Sequence, residues 1–191
     1  NRYCSSGLQT IAMAACQIQS GFSDCIIAGG VENISVMTNN LNMKDFVNPS
    51  LNKKSPGIYH PMGLTAETVA KRYNISREEQ DEYALSSQLR TASAQEKGYY
   101  DDEIIPMETK MNIIDKVTKE VTSTQTVTVT KDTCNRPETT IDGLSSLKPV
   151  FDPEKGTVTA GNSSQMSDGA SITLVMSEEK ALKLGLKPKA Y

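Results

Sequence analysis

The chain has 191 residues and a mass of 20.8 kDa, with 20 Lys and Arg against 23 Asp and Glu for a formal net charge of −3. At about 150 residues per domain this is one to one and a half domains with room for a core, and the slightly acidic balance argues against a nucleic-acid partner, which needs a basic face. A hydrophobic content of 37% is too high for a disordered chain, and no apolar run approaches the ~18 residues of a membrane span.

Residues 4–20 read as a helix, because Leu8, Ile11, Ala12, Ala15 and Ile18 fall on one face at the helical period. Gly21 is its stop. The apolar run from Cys25 to Ala28 predicts a short buried strand that turns at Gly29 and Gly30. Helix then strand is half of a parallel αβ unit. Residues 38–58, rich in Asn, Ser, Pro and Lys, read as loop. A shorter helix is expected from Thr65 to Tyr73, then a long one opened by a capping box at Ser76 and Glu79 and closed before Gly98. Residues 103–107 could form a short strand. Alternating Val and Thr over 121–130 predict an exposed antiparallel strand or hairpin arm. Residues 131–148 are irregular apart from a helical turn near Ile141 to Leu147. Residues 170–176 predict a buried strand, and Ser177 caps a last helix ending at Gly185. The pattern is α/β at both ends with a long insertion, about 38–155, and so long a connection implies function.

Cys4, followed by Ser5, Ser6 and Gly7, sits at the predicted helix start. A helix N-terminus favours thiolate over thiol. Its free N–H groups can stabilise an oxyanion formed by attack on a carbonyl. Small neighbours admit a substrate. From these points alone Cys4 is a nucleophile candidate, and the plainer alternative is a small buried hydrophobe. Cys16, Cys25 and Cys134 read as structural, reduced intracellular thiols, because the four cysteines have no paired spacing of a disulfide frame or zinc site.

The segment Asn1-Arg2-Tyr3-Cys4-Ser5-Ser6-Gly7 resembles the nucleophile motif of the thiolases. Gly161-Asn162-Ser163-Ser164-Gln165-Met166-Ser167-Asp168-Gly169-Ala170 is similar to their second signature. Pro61-Met62-Gly63-Leu64-Thr65-Ala66-Glu67 and Ile75-Ser76-Arg77-Glu78-Glu79-Gln80-Asp81 look like segments of the family's loop domain. The four motifs are colinear along the chain. Gln165 and Ser167 look like the degradative 3-ketoacyl-CoA branch, where the biosynthetic acetoacetyl-CoA enzymes more often carry Gly and Asn. Within the degradative branch the likeness is to the peroxisomal type.

The resemblance implies an α/β thiolase fold, in part. Residues 1–37 would belong to the N-terminal αβα-layered domain, 38–155 to an α+β loop domain covering CoA, and 156–191 to the return and the start of the C-terminal domain. It implies that CoA cleaves a 3-ketoacyl-CoA into acetyl-CoA and a shortened acyl-CoA through a thioester on Cys4. Ser164, with backbone around Ala160 and Gly161, matches positions lining the pantetheine tunnel. Arg136 aligns with an arginine at the nucleotide end of CoA, and Phe151 with an aromatic near CoA. A surface arginine and a loop-domain core residue remain the alternatives for these two. Met62 would be a flexible wall of the acyl pocket. His60, the only histidine, stands one residue before the position where some members carry one, and reads as an ordinary loop residue.

The family's activating Gly-His-Pro histidine, its Cys-x-Gly cysteine and its Asn-Glu-Ala-Phe segment have no counterpart in these 191 residues. The chain is therefore expected to be the central piece of a longer subunit, inactive alone. CoA is implied as substrate, with no metal or redox cofactor, and a homodimer or homotetramer as the assembly. A peroxisomal location follows from resemblance only, with mitochondrial or cytosolic ones as alternatives. The rival readings are a condensing enzyme of the ketoacyl synthase kind, a biosynthetic acetoacetyl-CoA thiolase, and a non-catalytic acyl-CoA-binding remnant. The 161–170 pattern weighs against the first and Gln165 and Ser167 against the second.

Overall fold

A computed structural model of the chain describes residues 2–37 and 41–190. It divides into two compact units, Asn1–Lys44 with Met166–Tyr191, and Asp45–Gln165. Asn1 of the nucleophile motif and residues 38–40 of the expected loop lie outside the described residues.

In the first unit a 3-10 turn, Tyr3–Ser5, leads into helix α1, Ser6–Gln19. Its alanines and straight-chain residues are good helix formers, and the chain leaves it through Gly21 at φ 74°. Strand β1, Cys25–Glu32, pairs antiparallel with β4, Gly169–Met176, from Cys25 opposite Met176 to Glu32 opposite Gly169. The parallel pairing expected from helix-then-strand is thus not the one formed between the described strands. The chain returns beside the Glu32 end of β1, so β4 must run the opposite way.

Helix α1 packs on one face of this pair, where Ala14 and Ala28 are buried. On the other face Ile27 is 68% exposed and Ile172 is 74% exposed, and Val31 and Leu174 also face outward. The expectation of two buried strands is therefore half met: a strand with a helix on one side alone buries every second residue. Short helix α2, Ile34–Met37, follows β1. Helix α7, Glu178–Lys183, closes the unit, capped by the Ser177 side chain as the sequence predicts.

The second unit opens with α3, Pro49–Lys54, inside the stretch read as loop. Asn48 caps it and Pro49 occupies its first turn, a start signal that outweighs the polar composition. Helix α4, Met62–Tyr73, starts three residues before the predicted Thr65. Helix α5, Arg77–Glu96, has the reciprocal capping box: Ser76 Oγ accepts from the Glu79 N–H, and Glu79 accepts from the Ser76 N–H. Strands β2, Met107–Ile114, and β3, Val121–Val129, form an antiparallel hairpin.

The strand expected over 103–107 is displaced to begin at Met107, since Pro106 has no N–H for a ladder. At the hairpin turn Asp115 accepts from the N–H groups of Val117 and Thr118, which hold its carboxyl below its usual range. Helix α6, Ile141–Ser145, completes the unit. Its buried residues are Ala70, Leu144, Val158, Asp81 and Thr159. Among the described residues no helix is long and apolar enough to cross a membrane.

Candidate active site

Cys4 is exposed at the N-terminal end of α1, in a turn that the neighbouring serines hold in shape. Ser5 donates its N–H and its hydroxyl to the Arg2 carbonyl at 3.2 and 2.9 Å. Ser6 Oγ donates to the Tyr3 carbonyl and accepts from the Arg2 N–H, both at 2.8 Å. The immediate neighbour of the thiol, Tyr3, has φ 51°, in the left-handed region that costs an L residue about 1–2 kcal/mol. Strain of this kind persists where surrounding bonds enforce it, and it collects at functional turns. Here it displays a thiol at a helix start where the Ser5 N–H is given to the Arg2 carbonyl and the Ser6 N–H to the Tyr3 carbonyl, so the free N–H groups expected there are engaged at these two residues. A thiol so displayed can attack a carbonyl, and the positive end of α1 favours the negative charge that develops there.

A separate candidate element, in the second unit, is the loop at 157–164, and its geometry comes from two helices. From α4, Glu67 accepts the Thr157 N–H, the Thr157 hydroxyl and the Val158 N–H at 2.8–3.1 Å. From α5, Asp81, only 1% exposed, accepts at Oδ2 from Arg77 Nε and at Oδ1 from Asn162 Nδ2, at 2.7 and 3.0 Å. Asn162 also donates to the Thr157 carbonyl and accepts the Thr159 N–H. Thr159 Oγ1, fully buried, accepts the N–H groups of Gly161 and Asn162. Gly161 has no room for a side chain, since a Cβ would fall 2.5 Å from Leu147 Cδ1 and 2.6 Å from Leu144 Cδ2. The outer side of the loop differs: Ala160 and Ser164 are exposed, and Ser164 Oγ donates only to the adjacent Gln165 carbonyl among the bonds described.

The second unit also brings the Arg136 segment beside this loop. Gln165 Nε2 donates to the Cys134 carbonyl at 3.1 Å. Side chains of α5 hold the same segment, Gln95 accepting from Asn135 Nδ2 and Gln88 from the Arg136 N–H. Asn135 Oδ1 is buried without a hydrogen-bond partner among the described residues. The Arg136 side chain itself is exposed. Met62 lies at the start of α4, 80% exposed, while the next residue, Gly63, lies under the Phe151 ring, which a Cβ there would strike. Phe151 is thus tied to the Met62 turn, which leaves it a packing role as well as an outward-facing edge. His60 lies against Gly57 and donates its N–H to the Gly57 carbonyl, a local loop arrangement.

Glu67, Arg77, Asp81 and Asn162 escape reading as site residues from the sequence. Each stands inside one of the quoted motifs, which is a signal of position. Their partners are 67 to 91 residues away for the long bonds, and nothing local announces such pairings.

The family model described as "Thiolase, N-terminal domain" matches residues 1–179. The chain is 47% identical over 188 residues to "3-ketoacyl-CoA thiolase 1, peroxisomal" of Arabidopsis thaliana, covering 97% of this chain and 41% of that protein. It is 46% identical over 191 residues to the 3-ketoacyl-CoA thiolase of Bacillus subtilis, covering 98% and 47%. To the human peroxisomal 3-ketoacyl-CoA thiolase it is 45% identical over 187 residues, covering 97% and 42%. The chain therefore spans less than half the length of these curated relatives. Among solved structures, the dimeric peroxisomal thiolase of Saccharomyces cerevisiae superposes with a TM-score of 0.80 at 34% identity, over 97% of this chain and 44% of that one.

Proposed function

We propose that this chain, which belongs to the thiolase family, supplies the nucleophile and a CoA-binding loop to a degradative 3-ketoacyl-CoA thiolase. The observation that carries the reading is the exposed Cys4 on its strained turn at the start of α1. The identity of 43–47% to relatives named 3-ketoacyl-CoA thiolase supports it. In this reading the Cys4 thiolate adds to the keto carbonyl of a 3-ketoacyl-CoA. The bond between the second and third carbons breaks, and acetyl-CoA leaves as its enolate, which takes up a proton. The shortened acyl group remains on Cys4 as a thioester until the thiolate of CoA attacks it and restores Cys4. A thiolate is both nucleophile and leaving group, as two successive acyl transfers require.

CoA would run along the outer side of the 157–164 loop, with its pantetheine arm at Ser164, Ala160 and Gly161 and its phosphates toward Arg136. Met62 and Phe151 would border the acyl end. CoA enters as a substrate, and the chemistry calls on no metal or redox cofactor. The complete subunit would assemble as a homodimer, a reading supported by the likeness to the dimeric yeast thiolase. A peroxisomal location is supported by the names of the Arabidopsis and human relatives, and co-localisation of the tagged subunit with a peroxisomal marker tests it.

The decisive experiment is incubation of a subunit of full thiolase length carrying this sequence with acetyl-CoA, followed by peptide mass spectrometry. One acetyl group on the Cys4 peptide, absent from Cys4→Ala, is the expected result. Saturable acetyl-CoA binding without acylation would replace the enzyme with a non-catalytic acyl-CoA binder. Consumption of long-chain 3-ketoacyl-CoA, and not of acetoacetyl-CoA alone, separates the degradative branch from the biosynthetic one.

A further inference from the structure

Asn162 has a single allowed orientation. Its two amide hydrogens go to Asp81 Oδ1 and the Thr157 carbonyl, and its oxygen accepts the Thr159 N–H at 2.7 Å. A flipped amide would set oxygen against two acceptors and N–H against a donor. Asp81 sets that orientation from below. On its other side Asp81 accepts from Arg77 Nε, and Arg77 Nη2 donates to the Leu144 and Leu147 carbonyls at 2.7 and 3.1 Å.

The two arms converge on one residue. Through Asn162 and Thr159 the first ends at the Gly161 N–H. Through Arg77 the second fixes the backbone of Leu144 and Leu147, whose side chains close on Gly161. A buried ion pair is weak evidence of stability, because desolvation offsets its attraction. Here the buried carboxylate accounts for a geometry: a loop fixed on its inner side whose outer groups, Ala160 and Ser164, face solvent. Rigid support behind an open contact surface is what a ligand platform needs.

We propose that Asp81 is a positioning residue for CoA, holding Gly161 and Ser164 in a binding-ready arrangement through Asn162 on one side and Arg77 on the other. The inference rests on the reading of this loop as a CoA contact. It gives the second signature and the Arg77–Asp81 pair one shared task.

The test is titration of a subunit of full thiolase length carrying this sequence with CoA by calorimetry, together with amide hydrogen exchange over 157–164. The variants are Asn162→Ala, Asp81→Asn, the two combined, and Ser76→Ala as a control. Ser76→Ala weakens the capping box of the same helix without touching the loop. Loss of one charge-assisted hydrogen bond predicts a CoA Kd raised about tenfold in either single variant. The double variant should be no weaker than the weaker single one, since both break the same arm. The Gly161 and Asn162 amides should exchange faster in both, and Ser76→Ala should leave the Kd unchanged.

If both single variants bind within about twofold of the parent chain, the positioning role is overturned while the CoA reading stands. The same holds if Ser76→Ala weakens binding equally, because the effect is then general destabilisation. A parent chain that takes up no CoA overturns the functional reading and this inference with it. Should Asp81→Asn not fold, Asn162→Ala alone decides between these outcomes.

Discussion

In the first unit the buried anchors are alanines, Ala14, Ala28 and Ala181, whereas in the second they include a carboxylate and a threonine, Asp81 and Thr159. The first unit is built from apolar elements at regular periods, and one face of its two-stranded sheet stays open. The second is tied by hydrogen bonds between residues far apart in sequence, from Glu67 to Thr157 and Val158 and from Asp81 to Asn162. The difference teaches how each presents its chemistry. Cys4 is displayed by a local turn that depends on residues 2–6. The 157–164 loop is held by groups that only the fold assembles. A mutation should therefore act locally near Cys4 and at long range around the loop.

The comparison is broken most severely by Asp81→Ala. It strips Arg77 and Asn162 of a shared buried partner and should cost about 3–5 kcal/mol, the range for breaking a buried pair. Hydrogen exchange should register the loss across α5 and 157–164, with the amides of α1 and β1 unchanged. Equal loss in both units would mean that the two do not hold themselves together separately. Glu67→Gln comes next. It replaces one of two accepting oxygens with an amide, and should cost about 1–3 kcal/mol in chemical denaturation of the second unit.

The two serine caps give a like-for-like comparison. Ser76→Ala loses half of a reciprocal box on the 20-residue α5, and Ser177→Ala loses a single cap on the six-residue α7. Each should cost about 1 kcal/mol or less, with Ser76 the larger, as unfolding midpoints would reveal. The smallest effect concerns pH. Hydrogen bonds from the Ser35 N–H and hydroxyl hold the Asp168 carboxyl below its usual value of 3.8. A depressed carboxyl contributes stability above its unfolded value, and the contribution is lost as pH falls through the lower folded one. The Ser35 amide signal should therefore shift only below about pH 3.8, and Asp168→Asn should abolish that step.

Elements with a strong local signal were legible in the residues themselves. The capping box at Ser76 and Glu79, the Ser177 cap, the Gly21 stop and the Val-Thr alternation of β3 each led to the element observed. α3 was hidden by its polar composition although Asn48 and Pro49 marked its start. Two strands read as buried proved open on one face, because burial depends on what lies across a sheet and not on the strand's own residues. Of the candidate site, Cys4 could be singled out by chemistry, and Ser164, Ala160, Gly161, Arg136, Met62 and Phe151 by resemblance.

The sequence by itself determined the family, the strongly signalled helices and strands and the position of the thiol at a helix start. These are encoded in neighbours within a few residues, where periodicity, caps and motifs act. The tertiary structure alone decided that β4 runs antiparallel to β1 and that Tyr3 is strained. It alone decided that Asp81 stands behind the loop bearing Ser164. Such features depend on where the chain returns in space and on which distant donors meet a buried acceptor, and no local pattern of residues carries that information.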